Sequence, residues 1–121
     1  MNNIRFAVTA QGPQAHDGVD PRFGRARFFR VVDAAGQQTV LDNSVGVNAA
    51  QGAGIQAAQS LANLDIQAVV TGHVGPKAWT ALQAAKIEVY AVKDGTVEQA
   101  IQAFMAGQLQ LISGADVSGH W

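Results

Sequence analysis

The segment Ile66-Gln67-Ala68-Val69-Val70-Thr71-Gly72-His73-Val74-Gly75-Pro76-Lys77-Ala78-Trp79 narrows the choice of fold more than any other part of the chain. It opens as a short apolar run rich in β-branched residues, the composition of a buried strand. Thr71-Gly72 breaks the run, and Pro76 stands where the first turn of a helix tolerates a missing N–H. Good helix formers continue from Lys77 to Ala85. A buried strand, a glycine-bearing loop and a helix, in that order, specify an α/β sheet protein. Such sheets take their ligands at the loops beyond the carboxyl ends of their strands. This loop carries His73, Gly72 and Gly75, with Lys77 just past it.

The rest of the chain fits around that unit. Ile4–Thr9 alternates and runs into a polar loop, so it reads as a first strand. The loop that follows, residues 10–24, is long for a domain of this size, and long ordered loops are more often functional than not. Phe28–Asp33 and Gln38–Asn43 read as an antiparallel pair joined by a turn at Ala34-Ala35-Gly36. A glycine-rich connection from Gly46 to Gly54 leads into a helix over Ile55–Leu64, with Ile55, Ala58, Leu61 and Ala62 on one face. A fifth strand follows at Ile87–Ala91, then a helix over Thr96–Met105, with Thr96 as its cap and Gly107 at its end. The order β-β-β-α-β-α-β-α predicts a mixed five-stranded sheet with helices on both faces. Right-handed crossover places strand four beside strand one. Residues 11–25 and 72–77 then face each other across one cleft.

At 121 residues the chain is long enough for one self-sufficient core, expected over residues 1–112, with a mobile tail over 113–121. The net charge of −1 carries no excess pointing to nucleic acid or acidic lipid. No apolar run is long enough to span a bilayer, and the first residues lack the marks of a secretion signal, so a cytoplasmic location is expected. Cysteine is absent. That excludes disulfides, thiolate nucleophiles and Cys-ligated zinc or iron–sulfur centres.

Arg22, Arg25, Arg27 and Arg30 are half of the eight basic residues and fall within nine positions, around Phe23-Gly24. They suit an anion site, since arginine presents planar, permanently charged donors. They equally suit a solvated edge strand. Strand alternation would put Arg25 and Arg27 on one face and Arg30 on the other. His73 can offer a ring nitrogen to a soft metal or carry a proton near neutral pH; it can equally be a loop histidine bonded to backbone. His16 faces the same choice, and His120 belongs to the tail. Gly52-Ala53-Gly54 can present helix N-terminal amides to an anion, or can simply permit close helix packing; the lysine–hydroxyl pair of a P-loop is missing. Asp17 and Asp20 are expected to shape their loop through side-chain turns.

Four motifs in this order carry a resemblance: Phe23-Gly24-Arg25 after Gly18, Asp20 and Pro21; Gly52-Ala53-Gly54-Ile55-Gln56-Ala57-Ala58; Gly72-His73-Val74-Gly75-Pro76-Lys77-Ala78; and Gly95-Thr96-Val97-Glu98-Gln99-Ala100. From about Ile4 to about Leu109 the chain resembles the dinitrogenase iron–molybdenum cofactor biosynthesis family, and in its cysteine-free, stand-alone format the orange-protein branch of it. The resemblance implies a ribonuclease H-like three-layer α/β/α fold, with sheet order 3-2-1-4-5 and strand two antiparallel, and no nuclease activity. It implies binding or carriage of an anionic metal–sulfur cluster, either molybdenum–copper sulfide or an iron–molybdenum type. It also implies a Mrp-type nucleotide-binding ATPase and a cluster-recipient protein as partners. Many members have histidine directly before Phe-Gly-Arg, where this chain has Arg22; His16 or His73 would have to replace that ligand.

A cluster that brings its own sulfides needs no protein thiolate. It needs positive charge, amide donors and an apolar wall. Arg22, Arg25, Lys77, the amides of Gly72–Gly75 and the ring of Phe23 are the expected suppliers, with Thr71, Val74 and Pro76 framing the loop and Gly24, Gly52 and Gly54 beside it. A different class of function, a hydrolase or transferase acting on a phosphorylated small molecule, would use the same arginines and glycines. It lacks a visible carboxylate set for Mg²⁺. An interaction domain with an empty cleft is the third reading.

Overall fold

The protein is described here by a computed structural model that covers residues 4–44 and 52–114. Gly46 to Gln51 of the glycine-rich connection, the tail from Ala115 with His120, and the first three residues lie outside the described residues. The apolar runs become β1 (Phe6–Ala10), β2 (Phe28–Val32), β3 (Gln38–Asp42), β4 (Ala68–Thr71) and β5 (Glu88–Ala91). The helices are α1 (Ala53–Asn63), α2 (Pro76–Ala84) and α3 (Val97–Met105). With a sixth strand, β6 (Gln110–Leu111), one sheet has the order β3-β2-β1-β4-β5-β6, which contains the expected 3-2-1-4-5. β1, β4 and β5 are parallel, while β2 runs antiparallel to both β1 and β3.

The sixth strand corrects the expected five. β6 (Gln110–Leu111) pairs antiparallel with β5 through Tyr90–Leu111 and Ala91–Gln110. Gln108-Leu109-Gln110-Leu111 alternates as a strand does, but the strand is only two residues long and both are exposed.

The sheet separates two apolar layers because successive strand residues point to opposite faces. Ala7, Val69 and Val89 meet Leu61 of α1 and Leu82 of α2 on one side. Phe6, Val8, Ala68 and Val70 meet Ile101 and Phe104 of α3 on the other. The Phe104 ring lies 4.3 Å from Phe6 and edge-on to Tyr90 at 5.0 Å. Every residue of β1 and β4 is buried, as strands covered on both faces must be. The result is the three-layer α/β/α arrangement. No helix among the described residues is long and apolar enough to cross a membrane.

The inner face of α1 holds the expected Ala58 and Leu61 but not Ile55, and Ala62 is only partly buried. Ala53, Gly54, Ala57, Ala58 and Leu61 are buried, whereas Ile55 is 41% exposed. The helix starts two residues earlier than expected and turns its smallest side chains inward, which lets it approach the sheet closely. Ile55 and Ala62 are left along the groove between α1 and α2. Helix α3 follows the sequence more directly. The Thr96 hydroxyl accepts from the Gln99 N–H, the Gln99 side chain accepts from the Thr96 N–H, and Gly107 ends the helix at φ 71°.

Candidate functional site

Because β1, β4 and β5 are parallel and adjacent, their carboxyl ends open at one edge of the sheet. Three loops meet there: residues 11–27, 72–75 and 92–96. The first is sewn down along its length. The Gln11 N–H donates to Gly18 O and the Asp20 N–H to Thr9 O, each at 2.9 Å. Val19 donates to Gly95 O, and Val97 and Glu98 donate to Asp17 O and Ala15 O. The first turn of α3 therefore lends its otherwise unused N–H groups to hold this loop. Asp17 accepts from the Gln14 N–H, and Asp20 accepts from the Arg22 N–H, so both aspartates shape the loop as their spacing suggested.

The loops after β1 and β4 come together, as the strand order requires. Arg22 and His73 pair through their backbones in a short parallel bridge. The His73 N–H donates to Pro21 O at 2.7 Å, and the Phe23 N–H donates to His73 O at 3.2 Å. Below them the Thr9 and Thr71 hydroxyls lie 2.9 Å apart, and Thr9 donates onward to Asp20 O at 2.7 Å. Gly72 makes this approach possible. A Cβ there would sit 2.8 Å from both the Cα and the carbonyl oxygen of Pro21.

The structure redistributes the expected site residues. Phe23 is fully buried and packs 5.8 Å from the ring of Phe29, so its side chain is part of the core and not a wall of the cleft. Val74 and Thr71 are buried as well, and the Gly24, Gly54 and Gly75 backbones are covered. The arginines disperse. Arg22 lies 3.5 Å from the buried Asp20 carboxylate. Arg27 lies over the Phe28 ring and 3.8 Å from Asp42, whose carboxyl is held below its ordinary value chiefly by the Ser44 N–H. Arg30 reaches Gln38 and the Pro13 carbonyl. Arg25 and Arg27 precede β2 rather than lying on it, so strand alternation does not sort them. Arg25 is half-buried. His16 and Lys77 are exposed, His16 beside the start of α3 and Lys77 in the first turn of α2 together with Pro76. Gly52, with φ 75°, precedes α1, whose N-terminus faces the same edge because the helix returns to the start of β4.

Among the described residues, open space is found on the β5 side of His73. A cleft of about 390 Å³ is lined by Gly72, His73, Ala91, Val92, Lys93 and Gln110. Lys93 and Gln110 were not singled out from the sequence. The signal for Lys93 was available: β5 is a parallel strand, so the loop after it must open at the same edge as the loops after β1 and β4. The signal for Gln110 was the short alternation Gln108-Leu109-Gln110-Leu111, which marks β6. Among the described residues no group of three or more His, Cys, Asp or Glu could hold a metal ion.

A three-layer α/β domain with its polar loops gathered at the carboxyl ends of three parallel strands has the architecture that presents a ligand site on loops. The chain belongs to the dinitrogenase iron–molybdenum cofactor family, whose model matches residues 2–107. It is similar to the orange protein of Desulfovibrio gigas, solved in its apo form: 48% identity over 93% of this chain and 96% of that one, with a TM-score of 0.89. A Thermotoga protein assigned to the DUF35 family is 32% identical over 96% of this chain and 99% of its own, with a TM-score of 0.85. An uncharacterized protein of Methanocaldococcus jannaschii is 26% identical over 81% of this chain and 86% of its own. Family and orange-protein likeness together support a metal-cluster binding or carrier role, with a molybdenum-containing cluster as the general class of ligand.

Proposed function

We propose that this protein binds and carries, without covalent attachment and in the cytoplasm, an anionic molybdenum–sulfur cluster, with molybdenum–copper sulfide as its composition, at the loop edge beside His73. The observation that carries the reading is the donor set. The edge offers glycine-loop backbone, a histidine and cations, while the described residues hold no constellation able to capture a bare metal ion and the chain has no cysteine. A cargo whose metals are already saturated by sulfide asks only for charge, hydrogen-bond donors and apolar contact. In this reading the His73 ring meets the cluster's sulfides rather than its metal, and Gly72 and Gly75 keep the loop close to the sheet. Lys77 and Arg25 add positive charge at the rim. The proposed partners are a Mrp-type ATPase and a cluster-recipient protein.

The test is purification from the native host without chelators, followed by metal and sulfide analysis and a visible spectrum. Molybdenum, copper and sulfide that co-elute with a coloured protein are expected. Colourless, metal-free protein that also fails to retain a preformed copper–tetrathiomolybdate adduct would refute the reading.

A further inference from the structure

Within that proposed role, on which the inference rests, the structure separates the side of the edge that is filled from the side that is open. Toward β1 the seam is closed at Gly72: the Pro21 backbone occupies the volume a Gly72 side chain would take, and the His73 and Phe23 backbones are bonded across it. Asp20 lies against Arg22, and Phe23 is in the core. Toward β5 the cleft of about 390 Å³ is open, and Lys93 is the one lysine or arginine lining it. Among the described residues Lys93 forms no ion pair, not even with the neighbouring Asp94.

We infer that Lys93 is the charge that anchors the anion, in the cleft between the ends of β4 and β5, and that Pro21 and Phe23 act on the site by positioning the His73 loop. The chemistry of the lining narrows the ligand class. A phosphate needs several strong donors to replace the water it loses, and an unreplaced one is costly. This cleft supplies one ammonium, one histidine, the Gln110 amide and a stretch of backbone, against the apolar Ala91 and Val92. A sulfide-surfaced anion accepts weaker hydrogen bonds and gains from apolar contact, so it loses less on entering. The cleft therefore selects a thioanion over an oxyanion of similar charge.

The probe is tetrathiomolybdate, with and without copper(I), measured by equilibrium dialysis and by its visible absorption on wild type, Lys93→Gln, Lys93→Arg and Lys86→Gln. Lys86 precedes β5 at the opposite edge of the sheet, so it controls for net charge. Loss of one exposed charge contact predicts about three- to fivefold weaker binding for Lys93→Gln, with a shallower salt dependence. Lys93→Arg and Lys86→Gln should bind as wild type does. Excess phosphate or molybdate should not displace the probe. Equal binding by wild type and Lys93→Gln, both folded by circular dichroism, would overturn the Lys93 assignment and leave the carrier role standing. Displacement by phosphate would overturn the thioanion selectivity. Failure of wild type to bind any probe would remove the carrier role, and this inference with it.

Discussion

Gly72→Ala tests whether the seam between the two loops is what holds the site in place. The added Cβ would sit 2.8 Å from the Cα and carbonyl oxygen of Pro21 and 3.1 Å from its Cβ. Neither backbone nor a proline ring can swing aside, so one loop must move by roughly half an ångström to restore van der Waals contact. Overpacking of this kind costs about 1–3 kcal/mol. The same movement stretches the His73 N–H bond to Pro21 O, now 2.7 Å, and the Phe23 N–H bond to His73 O, now 3.2 Å. Each such bond is worth about 1 kcal/mol when intact. Against this, alanine restricts the unfolded chain and returns about 0.4–1 kcal/mol. The balance is a loss of about 2 kcal/mol, which for a chain of this length lowers Tm by roughly 7 °C. Urea unfolding followed by circular dichroism should show the midpoint falling at an unchanged slope. Gly114→Ala is the control, since a Cβ there meets nothing within 4 Å. A Gly72→Ala protein within about 0.5 kcal/mol of wild type, the scatter of ordinary surface changes, would refute the claim that Pro21 and Gly72 are in obligatory contact.

Two further outcomes follow from other parts of the structure. Thr96→Ala removes the hydroxyl that caps α3 at Gln99 and should cost about 1 kcal/mol in urea unfolding. It should also speed hydrogen exchange at Val97 and Glu98, whose N–H groups hold the loop after β1. Tyr90 is the chain's single tyrosine, so phenolate absorbance reads it alone. Burial first, then the hydrogen bond to Glu88, raises its phenol above the ordinary 10.0. A group raised on folding stabilises the protein fully below its unfolded value and loses that contribution as pH rises through the folded one. Stability should therefore decline above pH 10 and decline less in Tyr90→Phe; a phenol midpoint at or below 10.0 would contradict the burial of this ring.

Much of the architecture was legible because it rests on strong, local patterns. The β-branched run ending at Thr71 can only be a buried strand, and both faces of β4 are covered. Thr96 with Gln99 three residues later is a capping box in sequence and in space. The approach of the loops after β1 and β4 followed from a crossover rule that needs no side-chain detail. What escaped was set by context. β6 is a two-residue, exposed strand whose alternation over Gln108–Leu111 is too short to stand out, and it pairs because β5 offers it an edge. On α1, Ala58 and Leu61 were placed correctly, but Ile55 yields the inner face to Ala53, Gly54 and Ala57, because small side chains let a helix approach a sheet more closely.

The arginine quartet shows why proximity in sequence is a poor guide to a charged site. Arg22, Arg27 and Arg30 are neighbours in the chain, yet each finds its own partner on a different element: Asp20 in the same loop, Asp42 on β3, and Pro13 with Gln38. Guanidinium groups are long and offer five donors, so a folded chain rarely leaves one without an acceptor. Counting cations therefore overstates the charge available to a ligand. Topology discriminates better, because parallel strands must deliver their following loops to one edge whatever those loops contain. By that rule the loop after β5 ranks with the loops after β1 and β4, and Lys93 enters the site on geometry alone. Phe23, the first residue of the Phe23-Gly24-Arg25 motif, then has a structural role that needs no ligand. Phe23 anchors the loop in the core through its ring and bonds His73 through its backbone. A motif of that kind fixes where His73 stands, and the residues facing it across open space decide what it meets.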